Sequence, residues 1–437
     1  MSFDVKTAFL HARLPHDIFV KQIPGFPEAD PSTVLRLLVA LYGLKQSSHE
    51  WYKLLSSTLS TIGLIRCEAD HAVFLGRWFI PPDPSIPLLP SGDPLFLIIP
   101  IHVDDGLVIT NSLPLYKWFV LEISKTIDFV CLGPVLNTRY LGQRIIRDRN
   151  NKIIQVSQAD LVVDLLDEWS LSDCKSLPIP LHHNPSSLPP PPSNACPDIP
   201  DNKLLLSYQR LVGSLTYLAI STRPDIAYAA MALGQFNSTP SRAHLLCAKG
   251  VLRYLAGTVS LCLQFPSPST HSLPELSPLP STRGYSDADW ASDKKDHKSV
   301  SGYCFFFLDS LVSWSSRKQC IVSTSSTESE YYALTNAIKE ALWIKLFLTL
   351  TKLPTPQPFP IFCDNQSTCV IAKSDAISSR TKHIDVRHHF IRHHINDSSF
   401  DTVWIPTSNM TADIFTKPLL SPLFLLHRDN LGLLVPL

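Results

Sequence analysis

Clustered prolines constrain the fold of this chain more than any other feature of its sequence. Among 437 residues there are 37 prolines, many of them in three runs: PPDPSIPLLPSGDP (81–94), LPIPLHHNPSSLPPPPSNACPDIPD (177–201) and PSPSTHSLPELSPLPS (266–281). Proline lacks a backbone N–H and fixes φ, so helices and inner strands do not continue through such runs. We interpret the first run as a long loop and the other two as parts of linkers. We predict three domains, over residues 1–176, 203–265 and 283–437. Linkers over residues 177–202 and 266–282 join them.

The segments between the linkers differ in their predicted secondary structure. Residues 32–63 have helical periodicity with a break near Tyr42 and Gly43. Residues 151–169 read as a strand followed by a helix with Ser157 as its N-cap. Residues 203–265 contain helical patterns, whereas 283–437 alternates strands with helices. The sequence therefore predicts an α+β (mixed α/β) fold.

Composition excludes few classes of function. Lys and Arg together number 38, as do Asp and Glu, so a nucleic-acid partner would have to be held by local basic patches. The ten cysteines are scattered and form no C-x-x-C pair, which fits reduced thiols inside a cell. We see neither a secretory leader nor an apolar run long enough to span a membrane. These features indicate an intracellular soluble protein.

Two short stretches place carboxylates beside apolar runs. FDVKTAFL contains Asp4, and LFLIIPIHVDDGLVIT contains Asp104 and Asp105 at a predicted turn between two strands. One interpretation is a surface hairpin with an ordinary turn. The other is a Mg²⁺ site, because Mg²⁺ prefers oxygen ligands and phosphoryl transfer commonly uses two ions held by carboxylates. Residue spacing by itself leaves both interpretations open.

Longer motifs resemble the reverse transcriptases of copia-type LTR retrotransposons. The motifs are, in order, FDVKTAFLHARLPHDIFVKQIPGF, LYGLKQSSHEWY, HVDDGLVIT, YLGQRIIRDRNNKIIQVSQ, DCKSLPIPL, LVGSLTYLAISTRPDIAYA and VLRYLAGT. The resemblance implies an incomplete polymerase palm of the right-hand type, followed by a helical thumb or connection. In that palm Asp4 and Asp104 would hold two metals and Asp105 would support them. Phe9 would lie under the sugar of the incoming nucleotide, and Lys45 would be either a phosphate contact or a surface lysine.

The last segment resembles the ribonuclease H domain that follows the polymerase in such Pol polyproteins. Its motifs are GYSDADWASDKKDHKSVSGY, SSTESEYYAL, FCDNQST, SRTKHIDVRHHFIRHH and MTADIFTKPL. The resemblance implies four metal-binding catalytic acids. Three are Asp287 on the first strand, Asp364 at a strand end and Asp413 at the start of the last helix. The fourth is Glu328 or Glu330, which cannot both face the cluster because they are two residues apart on a helix.

We choose Glu330, because the YYAL that follows it best matches the family. Asp289 and Asp293 are interpreted as solvated loop acids.

A basic, histidine-rich run covers residues 379–394 and contains five histidines. One interpretation is a zinc site, which adjacent His-His pairs without cysteine or acid partners disfavour. A second is a partly solvated helix. The favoured third is a surface that grips the phosphates of an RNA–DNA hybrid. The predicted nucleic-acid-binding residues of this run are Arg380, Lys382, His383 and Arg387.

The resemblance implies an RNA-directed DNA polymerase and a hybrid-specific ribonuclease, each with two Mg²⁺ ions, or Mn²⁺. Its partners would be an RNA template, a DNA primer, RNA–DNA hybrids and deoxynucleotide triphosphates. The expected location is the cytoplasm, in a virus-like particle, or the nucleus. His102 stands where the family usually has Tyr, and Asp4 is the fourth residue, so most of the fingers region is expected to be missing. We therefore expect impaired polymerisation; the alternative is a catalytically silent relic that at most binds nucleic acid.

Overall fold

The computed structural model describes residues 1–26, 30, 32–187, 202–266, 281–374 and 385–435, with the side chains of 385–388 left undescribed. The chain forms two compact units. The first comprises residues 1–135 with 346–353, and the second comprises residues 136–345 with 354–437. No helix within the described residues combines the length and apolar character that a membrane span requires.

The first unit is built on a sheet of the order β4-β5-β6-β7-β1-β9, with β8 paired to β6 and a separate β2-β3 ribbon. Its helices are α1 (Ser47–Thr61) and α2 (Leu113–Ile123). Its strands are β1 (Ser2–Val5), β2 (Arg13–Val20), β3 (Leu35–Val39), β4 (Ile65–Arg66), β5 (Val73–Trp78), β6 (Leu95–His102), β7 (Asp105–Leu107), β8 (Ile109–Thr110) and β9 (Phe129–Gly133).

Apolar periodicity explains how this sheet packs. In β6 every second residue is buried, which is the alternation of a strand with one face on a core. Helix α1 buries Trp51, Leu55 and Leu59, which recur at helical spacing. Ser112 is the N-cap of helix α2, and its hydroxyl accepts a hydrogen bond from the backbone N–H of Leu115. These elements bring the predicted hairpin of the HVDD motif next to β1.

The second unit contains two sheets, of the orders β10-β11-β12-β13-β19 and β16-β15-β14-β17-β18. Its strands are β10 (Asn137–Tyr140), β11 (Gln143–Asp148), β12 (Ile153–Ser157), β13 (Cys262–Phe265), β14 (Arg283–Asp289), β15 (Val300–Phe307), β16 (Ser310–Lys318), β17 (Phe359–Cys363), β18 (Phe400–Trp404) and β19 (Leu433–Leu434). Its helices are α3 (Ala159–Glu168), α4 (Asn202–Ser221), α5 (Ala227–Gly234), α6 (Arg242–Ala256), α7 (Ser326–Thr351), α8 (Gln366–Lys373), α9 (Asp385–Asn396) and α10 (Ser421–Asn430).

A single hydrophobic core connects the helices α3 to α6 with the second sheet. It includes Leu215 of α4, Leu252 of α6, Phe306 of β15 and Phe415. Burying a side chain of this size contributes about 1.5–3 kcal/mol. The indole N–H of Trp314 in β16 also donates to the backbone carbonyl of Ala219 in α4, at 2.8 Å. The helical segment and the last segment thus fold around one core.

A buried ion pair joins helices of this unit. The guanidinium of Arg223 makes two hydrogen bonds to Asp225, at 3.0 and 2.7 Å, and a third to the carbonyl of Thr258. The hydroxyl of Tyr254 in α6 donates to the same Asp225 carboxylate at 2.6 Å. Burying both charges is tolerated because each is paired and hydrogen-bonded.

The α+β fold class predicted from the sequence is confirmed, but two local predictions are wrong. Residues 35–39 form strand β3, not a helix, because Leu35, Leu37 and Val39 alternate with more exposed residues and pair with β2. Helix α3 has Gln158 at its N-cap instead of Ser157. Ser157 is the last residue of β12 and pairs with Arg144 of β11, so its backbone is still extended.

The compact units divide near residue 135 and not near 176. Strands β10 to β12 pair in sequence with one another and with β13, so residues 136–176 belong with the later segments. The described part of the predicted linker 177–202 packs against the second unit and is not a free linker. Ile179 and Leu181 are buried in the core of the second unit, and the N–H of Leu177 donates to the carbonyl of Arg253. Residues 188–201, and 267–280 of the other linker, lie outside the described residues.

Candidate active site

Four acids of the second unit converge from four elements. Asp287 lies on β14, and Asp364 directly follows the last residue of β17. These strands are parallel, with Gly284 opposite Ile361, so continuing the register places Asp364 beside Asp287. Glu330 is in the first turns of α7. Asp413 lies in the 3₁₀ segment Thr411–Phe415, so the predicted position at the start of the last helix, α10, is wrong.

The absence of a side chain at Gly302 explains how Asp413 reaches this sheet. Gly302 is the β15 residue opposite Asp287. A Cβ there would lie 2.7 Å from Cβ of Phe415 and 3.1 Å from the carbonyl oxygen of Ala412. Contacts this short are not tolerated, so glycine lets the segment carrying Asp413 lie against the strand.

The carboxylate oxygens are close enough to share cations. One carboxylate oxygen from each of Asp287, Asp364 and Asp413 lies within 4.8 Å of the other two. A second group, with the same limit, joins Glu330 and Asp364 to the thiol of Cys363. Asp364 belongs to both groups, and it is the more exposed of these acids. The arrangement therefore forms one continuous cluster of four carboxylates, with Asp364 on the solvent side.

Polar neighbours orient the carboxylates. The hydroxyl of Thr416 donates to Oδ2 of Asp287, and the hydroxyl of Thr407 donates to Oδ2 of Asp364 at 2.7 Å. The Nζ of Lys417 lies 3.0 Å from Oδ1 of Asp413 and 4.0 Å from Oδ2 of Asp287. The ammonium group of Lys417 thus offsets part of the negative charge of the cluster.

Charge crowding in a buried place raises the pKa values of these acids. Burial, and then the neighbouring Asp287, raises the pKa of Asp413 to about 8. Burial first, and Asp287 and Asp364 next, raises the pKa of Glu330 well above its usual range. The pKa of Asp364 is raised as well, mainly by burial. Perturbed carboxylates in one place are typical of functional sites, because a stable fold does not otherwise require them.

The donor set fits a hard divalent cation. Oε2 of Glu330 is buried and accepts no hydrogen bond within the described part of the chain. Leaving a buried carboxylate oxygen unpaired is costly unless a cation or a proton satisfies it. Oxygen-only ligands favour Mg²⁺. Asp287, Glu330, Asp364 and Asp413 could therefore hold Mg²⁺.

The structure distinguishes the two glutamates of α7. Oε2 of Glu328 accepts hydrogen bonds from the backbone N–H and the hydroxyl of Thr324, at 2.6 and 2.9 Å, so Glu328 caps the start of the helix. Glu330 points at the cluster instead. This is the arrangement that we predicted from the sequence, although the catalytic role of Glu330 stays a prediction.

The acids of the first unit are arranged less tightly. Asp4 of β1 is directly opposite Asp105 of β7, and His102 of β6 is opposite Asp105 on its other side. Asp104 lies in the turn, where its carbonyl accepts a hydrogen bond from the N–H of Val5. Burial, and then Asp104 and Asp4, raises the pKa of Asp105. Among the residues that the structure describes, these three acids do not form a group with all ligand atoms within 4.8 Å.

The strand register shows which of the two adjacent aspartates lies opposite Asp4. We predicted that Asp4 and Asp104 hold metals and that Asp105 supports them. Directly opposed residues of an antiparallel pair project from the same face of the sheet. Asp105, not Asp104, is therefore the cross-strand neighbour of Asp4. The metal-binding roles themselves stay predictions.

The other residues that we predicted to contact nucleotide or nucleic acid differ in their surroundings. Phe9 packs against Tyr42, with ring centroids 4.7 Å apart, and lines a cavity of about 210 Å³ together with Trp51 and His102. Lys45 is exposed. Of the four residues predicted in the basic run, Arg380, Lys382 and His383 lie outside the described residues. Arg387 is in α9, where only its backbone is described.

Later in the same run, His393 and His394 lie with Asp397 in a group whose ligand atoms are within 4.8 Å. The statement that these histidines lack an acid partner is therefore wrong. The solvated-loop interpretation also fails for Asp293, which is buried and pairs with Lys318. Asp289 is half-buried, and burial raises its pKa.

Two residues near the four acids were not identified from the sequence. Lys417 follows Asp413 at i+4, a spacing that could have indicated an ion pair. His427 on α10 is fully buried, and the charges of Lys417 and Asp287 influence its pKa. No sequence pattern indicates that burial.

The comparisons with known proteins define the class of protein: a retroelement chain that contains a reverse-transcriptase segment. Residues 1–183 match the family described as "Reverse transcriptase (RNA-dependent DNA polymerase)". Over 436 residues, 98% of this chain, the sequence is 33% identical to the retrovirus-related Pol polyprotein from transposon TNT 1-94 of Nicotiana tabacum, and covers 30% of its length. It is 31% identical to the putative transposon Ty5-1 protein of Saccharomyces cerevisiae, over 77% of this chain and 99% of that protein.

The chain belongs to the family of Pol polyproteins of copia-type transposons. It spans about 26–30% of the length of the curated plant polyproteins that it matches. Among solved structures, ribonuclease H1 of Halobacterium salinarum aligns with 31% of this chain and 93% of its own, at 14% identity and a TM-score of 0.23.

Proposed function

We propose that the second unit cleaves the RNA strand of RNA–DNA hybrids by two-metal phosphoryl transfer. The observation that carries this proposal is the convergence of Asp287, Glu330, Asp364 and Asp413, with a buried oxygen of Glu330 left unpaired. A hydrolase that acts on a phosphodiester needs this kind of oxygen-rich, partly buried site, because two cations must be held against the substrate.

Each residue of the site has a physical role in this proposal. The four carboxylates would hold Mg²⁺, and the bound ions would supply activation of water and stabilisation of the leaving oxygen. Thr416 and Thr407 fix the rotamers of Asp287 and Asp364 through hydroxyl donors. Lys417 keeps Asp413 and Asp287 in place by offsetting their mutual repulsion. Substrate phosphates would approach from the side of Asp364, the more exposed acid.

The test is hybrid cleavage by the full chain with Mg²⁺. We expect Glu330→Gln and Asp364→Asn to reduce the rate by about 100-fold or more, because each removes a charged ligand. Glu328→Gln is the matched control within the same helix and should retain cleavage, as should Asp164→Asn on the exposed surface of α3. Equal rates for wild type and Glu330→Gln would overturn the assignment.

We infer a second activity, RNA-directed DNA synthesis, for the first unit. Two observations support it: the family match of residues 1–183, and the placement of Asp4 opposite Asp105 beside the HVDD turn. Its substrates would be an RNA template, a DNA primer and deoxynucleotide triphosphates. His102 faces Asp105 where relatives usually carry Tyr, and we propose that this lowers the rate.

Primer extension on an RNA template with Mg²⁺ tests this second activity. Synthesis should be abolished by Asp105→Asn and by Asp104→Asn, and increased by His102→Tyr. If a well-folded chain binds hybrid but neither extends nor cleaves it, the silent-relic alternative is correct.

A further inference from the structure

The turn that carries Asp104 has a strained backbone. Strand β6 ends at His102 and β7 begins at Asp105, and these two residues pair with each other. Val103 and Asp104 therefore form a two-residue loop, in which only Val103 has a positive φ, of 59°. A loop of this kind normally has glycine at its first position. Valine is branched at Cβ, so this conformation is costly for Val103 unless the surrounding residues impose it.

A buried tryptophan holds this turn. Trp51 of α1 is 2% exposed, and its indole N–H donates a hydrogen bond to the backbone carbonyl of Val103 at 2.7 Å. That carbonyl belongs to the peptide group between Val103 and Asp104, so its direction fixes the backbone from which Asp104 projects. On the other side of the turn, the N–H of Val5 donates to the carbonyl of Asp104 at 3.0 Å. Both carbonyls of the turn are thus held, one from α1 and one from β1.

The alternative is that Trp51 serves only the packing of the first unit. Its ring belongs to the hydrophobic core, and buried indoles usually find some hydrogen-bond acceptor. Two observations favour a role in the site. The acceptor is the strained residue itself, and Trp51 lines the cavity of about 210 Å³ together with Phe9, His102 and Val103. The hydrogen bond therefore acts at the residue where the turn would otherwise relax.

We propose that Trp51 is a positioning residue for DNA synthesis. Its hydrogen bond keeps Val103 in a conformation that valine does not adopt by itself, and so fixes the direction in which Asp104 projects. Trp51 acts through the backbone of the turn and not on the reacting atoms. The role in synthesis rests on the activity proposed for the first unit, whereas the holding of the turn does not.

Hydrogen exchange of the full chain, resolved to single residues by mass spectrometry, tests the holding of the turn without any activity measurement. The reporter is the N–H of Val5, because its acceptor is the carbonyl of Asp104. Trp51→Phe keeps an aromatic ring but removes the donor, and we expect the Val5 N–H to exchange at least about 10-fold faster. Trp118→Phe, at a half-buried position on α2, is the matched control and should leave this rate unchanged.

The rescue variant shows whether strain at residue 103 is what the hydrogen bond opposes. Adding Val103→Gly to Trp51→Phe should restore slow exchange, because glycine adopts a positive φ without strain. Circular dichroism melting confirms that each variant is folded. Unchanged exchange in Trp51→Phe, or no recovery in the double variant, would overturn the proposal.

Primer extension then separates positioning from packing. We expect Trp51→Phe to lower kcat for nucleotide incorporation about 10-fold or more, with little change in KM for the deoxynucleotide triphosphate. In the Val103→Gly background the same change should cost little activity. A rise in KM alone, or an equal loss of kcat in both backgrounds, would overturn the positioning role. If the chain proves not to extend primers, the exchange rates still decide whether Trp51 holds the turn.

Discussion

At the scale of single residues, the surroundings of Asp413 determine the pKa of its carboxyl group. Asp413 is 1% exposed, lies near Asp287 and has a pKa raised to about 8 from 3.8. A folded-state pKa above the unfolded one means that the folded chain retains a proton that the unfolded chain has released. The stability that this proton contributes is complete below about pH 4 and is lost as the pH rises through about 8.

We therefore predict that the thermal midpoint of the metal-free protein falls between about pH 4 and pH 8. Mg²⁺ requires ionised carboxylates, so the increase in midpoint on adding Mg²⁺ should grow over the same range. Calorimetry with EDTA or with excess Mg²⁺, at a series of pH values, measures both. Asp413→Asn should flatten the metal-free slope, and Asp164→Asn should not. A slope unaffected by Asp413→Asn would contradict the prediction.

His427 provides a second test at the residue scale. Neither ring nitrogen has a hydrogen-bond partner in the described part of the chain, and burial, followed by Lys417, lowers its pKa to about 4 from 6.5. Replacing an unsatisfied buried polar group with an apolar one of similar size removes a cost of about 1–3 kcal/mol. We predict that His427→Leu raises the free energy of unfolding by about this amount.

The pH dependence of this change has a defined sign. The depressed pKa means that the contribution of neutral His427 is complete above about pH 6.5 and lost as the pH falls through about 4. The stability difference between His427→Leu and wild type should therefore widen on acidification through that range. Urea unfolding at several pH values measures it, with exposed His71→Leu as the control. A destabilised His427→Leu variant would show that the ring has a partner.

At the scale of elements, the contact between β15 and the segment Thr411–Phe415 controls where Asp413 lies. Gly302→Ala should push that segment away, because the added Cβ would meet Cβ of Phe415 and the carbonyl of Ala412. Displacing a catalytic ligand by even about 1 Å can cost up to about 100-fold in rate. We predict at least about a 10-fold loss of hybrid cleavage for Gly302→Ala.

Gly213→Ala is the matched control for this prediction. Gly213 is in helix α4, and a Cβ there would have nothing within 4 Å. Alanine in a helix is more favourable than glycine by about 1 kcal/mol, so the control should be neutral or slightly stabilising. Full cleavage by Gly302→Ala would show that the segment can shift without moving Asp413.

At the scale of the whole molecule, the last segment shares its core with earlier ones. Leu215 and Leu252 pack in one core with Phe306 and Phe415, and β13 pairs with β19. We predict that a fragment of residues 136–437 unfolds cooperatively and cleaves hybrids, whereas residues 283–437 alone expose this apolar surface and do not fold stably.

Circular dichroism melting and cleavage assays on the two fragments provide the measurement. Asp364→Asn in the longer fragment is the control for contaminating nuclease, since it should remain folded but inactive. Cooperative unfolding and full cleavage by residues 283–437 would contradict the shared-core argument and support the separate domain predicted from the sequence.

The sequence by itself determined the element types in most places and the residues of the acid cluster. A continuous apolar run predicted strand β6, and the motifs that resemble the ribonuclease H family identified Asp287, Asp364 and Asp413, which the structure brings together. Such patterns are local, so no knowledge of distant contacts is needed. Residues 32–63 show the limit of this approach: the apolar residues of β3 fit helical and alternating spacing equally well, and pairing with β2 decides between them.

Only the tertiary structure decided which side chains face one another. Strand register places Asp105, not Asp104, opposite Asp4, and the hydrogen bonds from Thr324 to Glu328 explain why Glu330, which we had chosen from the sequence, meets the cluster. Thr416 reaches Asp287 across 129 positions of sequence, and Cys363 adjoins Glu330 in the same way. Burial, pKa and ligand geometry depend on groups that are distant along the chain, and no pattern of neighbouring residues encodes those distances.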